Sequence, residues 1–226
     1  WGPNSRLALK KLCEDDDVSN EAFPFFTIKR ISISNIPCVA VRISYIGELG
    51  WEIYTPTEYG LSLWDELREV SREFNMICSG AGAFESLRLE KGYRSLGSDI
   101  HSNTNPYESG LGFTVKLKKD TDFIGKEALL KIKEQPIQKK LACMVLDDPE
   151  GMALGTEPIY SEGKNVGYVT STNYGYFVDK HIVYGYLPKE LSDYGTKLEL
   201  EYFGKRYPLI VTNEPLLDPD NTRLKS

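Results

Sequence analysis

The 226 residues read as an α+β part followed by a small antiparallel β unit, a barrel or a sandwich. Three observations predict it. Apolar residues recur at helical spacing up to about residue 134. Short alternating strands separated by turns follow Lys139. Gln135-Pro136 breaks the chain between the two patterns. The boundary is therefore placed after residue 136, giving domains 1–136 and 137–226.

The elements follow in order. Ser5 is a candidate cap for a helix carrying Leu7, Leu9, Leu12 and Cys13, which Asp15-Asp16-Asp17 ends. Phe23 to Ser34 and Ile36 to Tyr45 alternate, with Asn35 as the turn between them. Gly47 and Gly50 flank a tight turn into a strand, Trp51 to Tyr54. Tyr59, Leu63, Leu67, Val70 and Phe74 form a helical stripe over 58–74, widened by Trp64. Met76 to Cys78 reads as a short strand, and Ala81 to Lys91 as a helix stopped by Gly92. The polar stretch 97–112 reads as a long ordered loop, Phe113 to Leu117 as a strand, and Ile124 onward as a third helix. Six further strands are expected: 141–146, 157–160, 166–172, 181–186, 197–202 and 206–211, with Glu162 to Asn165 at a hairpin tip.

The net charge of −6 argues against a nucleic-acid binder, which needs a basic stripe. No apolar run approaches the roughly 20 residues of a membrane helix. Cys13, Cys38, Cys78 and Cys143 are widely spaced and read as isolated buried thiols in a reducing compartment. His101 and His181 lack a second ligand at metal spacing, so no metal site is expected. Ser79 to Glu85 imitates the start of a dinucleotide fingerprint, but Glu85 stands where the third glycine belongs. Trp1 to Ser5 reads as the middle of something, which suggests a fragment.

Two segments carry more. One is Arg42-Ile43-Ser44-Tyr45-Ile46-Gly47-Glu48-Leu49-Gly50-Trp51-Glu52-Ile53-Tyr54. The other is Glu85-Ser86-Leu87-Arg88-Leu89-Glu90-Lys91-Gly92-Tyr93-Arg94, followed by Asn105-Pro106 and Gly110-Leu111-Gly112-Phe113. Together, in this order, they resemble the tetrahydrofolate-binding module of the glycine cleavage T-protein. The wording is closer still to the copy fused to dimethylglycine and sarcosine dehydrogenases. The resemblance covers essentially the whole chain. It implies part of a T-protein-like folate-binding domain followed by a C-terminal antiparallel β-barrel.

The resemblance implies a cofactor pocket at Tyr45, Glu52, Ile53, Tyr54 and Phe113, with Glu52 contacting the pterin. A pterin edge presents an amine and a ring N–H side by side, and a carboxylate accepts such a pair in a bidentate way. The plain alternative is a surface glutamate on a half-exposed strand. Glu52 and Tyr54 should share the strand face opposite Trp51 and Ile53. Phe113 could stack on a flat ring or sit in the core. Glu48 is expected to be exposed, and His101 and Asp99 to be solvated loop residues. Glu85, Arg88, Glu90 and Arg94 read as a structural ion-pair network.

In the plain T-protein an arginine touches the cofactor where this chain has Phe84, and the dehydrogenase-linked copies tend to lack it. The family's acidic residue near the folate nitrogens lies upstream of Trp1, so no catalytic residue is assigned. Lysines cluster between Lys116 and Lys140, as a solvated face or an attraction for an anionic polyglutamate tail.

The implied function is capture of a one-carbon unit from an oxidised N-methyl amine, dimethylglycine or sarcosine, as 5,10-methylenetetrahydrofolate. FAD would belong to a separate N-terminal domain or subunit missing from this chain. The compartment would be bacterial cytoplasm or mitochondrial matrix. The alternatives are a T-protein-like aminomethyltransferase and a non-catalytic subunit similar to the regulatory subunit of pyruvate dehydrogenase phosphatase.

Overall fold

In the computed structural model, which describes residues 1–226, the early alternation becomes a three-stranded antiparallel sheet. Its strands are β1 (Ile28–Ile33), β2 (Ile36–Val41) and β3 (Glu52–Tyr54), in that spatial order. The first strand starts later than expected, because Pro24 and the positive φ of Phe26 (69°) break the extended run. Ser34 and Asn35, at φ of 46° and 65°, make the two-residue hairpin turn. The second strand ends at Val41, short of Tyr45.

Two helices cover the inner face. The helix α1 (Ser5–Leu12) is flanked by Asn4, so Ser5 is not its cap. The Ser5 hydroxyl donates instead to the Leu49 carbonyl at 3.1 Å. The helix α2 (Gly60–Glu73) follows a 3-10 turn over Thr57–Tyr59 and buries Leu63 and Val70. Trp64, on the edge of the stripe, stays 53% exposed. The core joins Leu9, Phe23, Ile31, Ile33, Cys38, Ala40, Trp51 and Leu63.

Met76 to Cys78 is not a strand: nothing pairs with it, and Ile77 and Cys78 are exposed. The expectation of four buried thiols therefore fails at Cys78, while the other three are buried. The helix α3 (Ala81–Glu90) ends just before Gly92, whose φ is 73°.

By its contacts the chain forms two compact units, Trp1–Lys91 with Leu217–Ser226, and Gly92–Leu216. In the first, the tail docks through Lys91, whose Nζ lies 3.5 Å from Asp218 Oδ2 with both side chains almost fully buried. The Leu217 N–H donates to the Glu90 carbonyl at 3.0 Å.

In the second unit the polar loop is anchored by Asp99. Its carboxylate accepts from Ser95 N–H at 2.9 Å and Thr170 Oγ1 at 2.6 Å, and its carbonyl accepts from Tyr186 OH at 2.8 Å. Asp99 is fully buried, contrary to the solvated loop residue expected. Phe113 to Leu117 is not a strand either. Only a 3-10 turn over Gly112–Thr114 forms, because alternating Val115 and Leu117 meet no partner strand. The short helix α4 (Lys126–Lys133) follows.

All six expected C-terminal strands are present: β4 (Lys139–Leu146), β5 (Pro158–Ser161), β6 (Lys164–Gly175), β7 (Lys180–Pro188), β8 (Lys197–Tyr202) and β9 (Lys205–Thr212). They close into a barrel in the order β4-β7-β6-β5-β8-β9. Alternation decides the facing: Leu198, Leu200, Tyr207, Leu209 and Val211 point into the core, while Glu199 and Glu201 meet Arg206 outside. The Glu162-Gly163 tip, at φ of 48° and 78°, has the positive angles that match strand twist. Closure leaves no free edge, which excludes the sandwich.

Gly50 is required by crowding rather than by a positive φ. A Cβ there would strike the Trp1 ring and lie 2.8 Å from the Trp1 Cα. Gly50→Ala should cost about 1–3 kcal/mol of stability through overpacking. Urea unfolding measures it, and an unchanged midpoint would contradict the crowding.

Burial alone would push the Asp218 carboxyl up, but hydrogen bonds from Thr222 and the Arg223 N–H, with the Lys91 charge, hold it below the usual value. A depressed carboxyl contributes stability that is complete above about pH 4 and is lost as pH falls through the folded value. Asp218→Asn should cost about 3 kcal/mol at neutral pH by leaving a buried ammonium uncompensated. It should also flatten the acid limb of a melting profile, and an unchanged limb would rule this out.

Candidate functional site

The segment Arg42–Gly50 is a loop whose ends are tied to the chain's first residues. Trp1 Nε1 donates to the Ile43 carbonyl at 3.1 Å, and the Gly2 N–H to the Leu49 carbonyl at 2.8 Å. Gly47 takes a φ of 76° beside the Lys91 side chain. Glu48 is not the exposed residue expected, because its carboxylate pairs with Arg223 at 2.7 Å and its side chain is 18% exposed. Within this frame Tyr45 is half-buried and stacks on Phe84, ring centroids 5.2 Å apart at 24°.

The strand β3 then presents two faces. Trp51 and Ile53 pack inward, Trp51 as core and Ile53 against it. Glu52 and Tyr54 turn to the other face, where Tyr54 OH donates to Glu52 Oε2 at 2.6 Å. Their register partners on β2 are Val41 and Val39, which continue that face toward Ile28 and Arg30 of β1. A hollow of about 690 Å³ adjoins the Tyr54 end of this face, lined by Arg30, Pro37, Val39 and Tyr54 but not by Glu52. The hydrogen bond and charge of Glu52 hold the Tyr54 phenol above its ordinary value.

The structure thus brings Glu52 and Tyr54 together and gives Tyr45 an aromatic neighbour. It sets the Ile53 side chain on the opposite face, where only its backbone could reach a ligand on the Glu52 side. Phe113 belongs to the second unit, on the 3-10 turn, with 72% of its surface exposed. The four-residue ion network divides. Arg88, buried, pairs with Glu85 at 2.8 Å in the first unit, whereas Arg94 pairs with Glu214 at 2.6 Å in the second. Among the lysines, Lys116 and Lys126 spend an ammonium hydrogen bond on the carbonyls of Phe113 and Lys119. Sequence reasoning used Phe84 only as a missing arginine and overlooked its stacking partner. An aromatic residue in the first turn of α3, beside a glycine-rich approach, was the available signal.

Comparison with known proteins decides the family. The description "GCVT N-terminal domain" matches residues 1–119, and "Glycine cleavage T-protein C-terminal barrel domain" matches residues 139–218. The chain belongs to the glycine cleavage T-protein family. It is 40% identical over 222 residues to human mitochondrial dimethylglycine dehydrogenase, matching 98% of this chain and 26% of that protein. Mouse mitochondrial sarcosine dehydrogenase is 35% identical over 99% of this chain and 25% of its own length. The chain thus spans about a quarter of these relatives, both named as enzymes. The crystal structure of glycine cleavage system aminomethyltransferase T from Bartonella henselae superposes with a TM-score of 0.82 at 23% identity, over 94% of this chain and 56% of that one. The fold is therefore aminomethyltransferase-like. No helix is long and apolar enough to cross a membrane.

The Tyr54–Glu52 contact has its own test. The Tyr54 phenol should ionise at higher pH than an isolated tyrosine and return toward the ordinary value in Glu52→Gln, because the neighbouring anion is gone. NMR titration of ring-labelled tyrosine reads this, and identical curves in the two proteins would deny the contact.

Proposed function

We propose that this chain is the C-terminal part of a tetrahydrofolate-binding module in an enzyme similar to dimethylglycine dehydrogenase. The observation that carries the reading is the Glu52 carboxylate on the open face of β3, oriented by the Tyr54 hydroxyl. A carboxylate has about four lone-pair sites, so one bond from tyrosine leaves acceptors for a pair of adjacent N–H donors. The pterin edge of folate offers that pair, so the residues present fit the group.

Glu52 would hold the pterin edge, and Tyr45 and Tyr54 would supply ring surface. Ile53 would contribute its backbone. Tetrahydrofolate, when bound, supplies the two nitrogens that take up a one-carbon unit as 5,10-methylenetetrahydrofolate. The chain's own contribution is positioning and the exclusion of water that would release the unit as formaldehyde. The unit would come from dimethylglycine or sarcosine, oxidised by a flavin domain carried elsewhere in the protein. The identity to the two dehydrogenases across nearly the whole chain supports this. The enzyme would work in the mitochondrial matrix of a eukaryote or the cytoplasm of a bacterium, and both relatives are named as mitochondrial. The division into domains 1–136 and 137–226 is also proposed, supported by family matches that fall on either side of residue 136.

A plain aminomethyltransferase is the second reading, favoured by the shared fold and opposed by Phe84 in place of the cofactor-contacting arginine. The regulatory-subunit alternative gains no support from relatives that are named as enzymes.

Glu52→Gln tests the reading. An amide offers one acceptor where two are needed and turns an NH₂ toward a donor. The expected cost in folate binding is about 2–3 kcal/mol, roughly 30- to 150-fold in affinity. The melting temperature should barely move, since the side chain is a partly exposed strand residue rather than core. Tetrahydrofolate titration of the intact wild-type and variant proteins decides it, and equal affinities would sink the assignment.

A further inference from the structure

We infer that Phe84 is a positioning residue for the folate site, acting through the plane of the Tyr45 ring. The inference rests on the reading of Tyr45 and Glu52 as folate-binding residues and adds to it the element that sets Tyr45.

Tyr45 sits mid-loop, and a loop side chain has rotamer freedom unless something removes it. The Phe84 ring lies against it, nearly parallel at 24° and 5.2 Å between centroids. Phe84 is in turn backed by Trp1, whose ring centroid is 6.0 Å away. Trp1 is itself fixed, by its indole hydrogen bond to Ile43 and by Gly50, where any side chain would strike its ring. Gly50, Trp1, Phe84 and Tyr45 thus form a row of contacts, tilted at 43° between Trp1 and Phe84 and stacked only between Phe84 and Tyr45, running from the end of the loop back to its middle. It joins the first residues, the loop and the first turn of α3. Stacking on Phe84 covers one face of the Tyr45 ring. A flat heterocycle would meet a ring already held in one plane, so less ordering is left for the binding step.

Phe84 is half-buried, so its replacement should be tolerated by the fold. Phe84→Leu keeps apolar volume and removes the stack. It should weaken tetrahydrofolate binding by roughly 3- to 10-fold, in line with the strength of aromatic pairs. Phe84→Tyr keeps the ring and should bind within about twofold of wild type, by the same pairing rule. The deciding readout is a double-mutant cycle with Tyr45→Ala, by tetrahydrofolate titration of the intact protein with melts in parallel. If Phe84 acts through Tyr45, Phe84→Leu should add no further loss once Tyr45 is gone. A fully additive loss would show that Phe84 acts by another route, and no loss from Phe84→Leu or from Tyr45→Ala would overturn the inference outright. Glu52→Gln runs beside them as the control for the site. Loss there without loss at Phe84 rejects this inference alone. Unchanged binding in all variants rejects the folate reading with it. Should Phe84→Leu melt well below wild type, Phe84→Met serves in its place, and the cycle is read on the variant that keeps its fold.

Discussion

The first unit depends on one buried cation, the Arg42 guanidinium. It is wholly inaccessible to solvent, and stripping such an ion of water costs several kcal/mol unless its donors are matched. The two terminal nitrogens are matched, by Asn20 Oδ1 and the Phe23 carbonyl at 2.6 Å and by the Ser226 carbonyl at 2.5 Å, while Nε is buried without a partner. Its charge also lies over the Trp51 ring, 5.6 Å from the centroid. Burial and the nearby Arg6 push its pKa down to about 10, which still leaves it charged at neutral pH. One side chain immediately after β2 thus ties the turn before β1, the tail of the chain and Trp51, the residue just before β3. The loop carrying Tyr45 begins at Arg42. Its point of departure is therefore as fixed as the core.

That fixed start would let an irregular loop hold the proposed site. Binding residues on loops work when a rigid scaffold sets both ends. Here Arg42 sets one end and the strand β3 the other, and Glu52 opens that strand. The interior of the loop is filled from outside its own sequence, by Trp1, Phe84 and the Arg223 pair with Glu48. The Glu52 carboxylate needs no buried partner, since it stands on a face that solvent reaches. Its charge stays available for a ligand, whereas Arg42, Arg88 and Lys91 spend theirs on the fold.

The barrel follows a different logic. It has no comparable buried ion on its inner face; closure and alternation are enough. Each strand pairs on both sides, and Leu198, Leu200, Leu209 and Val211 fill the interior. The polar stretch 92–112 belongs to the same unit and is secured by Asp99, whose acceptors satisfy a loop N–H and a barrel hydroxyl together. A carboxylate so used is structural, however polar the loop around it.

The sequence alone determined the elements with a strong local signal. The six barrel strands, the helix around Leu63 and Val70, the hairpin at Asn35 and the inward and outward faces of β3 follow from periodicity and turn chemistry, which act over a few residues. The pair Glu52 and Tyr54 was legible for the same reason, since a period of two puts them side by side. Tertiary structure alone decided the rest. The alternation at Phe113 to Leu117 and the apolar run at Met76 to Cys78 look like strands, but a strand exists only where a partner completes its hydrogen bonds. Asp99, Glu48 and Ser5 are polar residues whose roles were set by partners 71, 175 and 44 positions away. The stack of Phe84 on Tyr45 joins residues that no local pattern connects. Such contacts depend on how the chain returns to itself, and a pattern confined to neighbouring residues carries no information about that return.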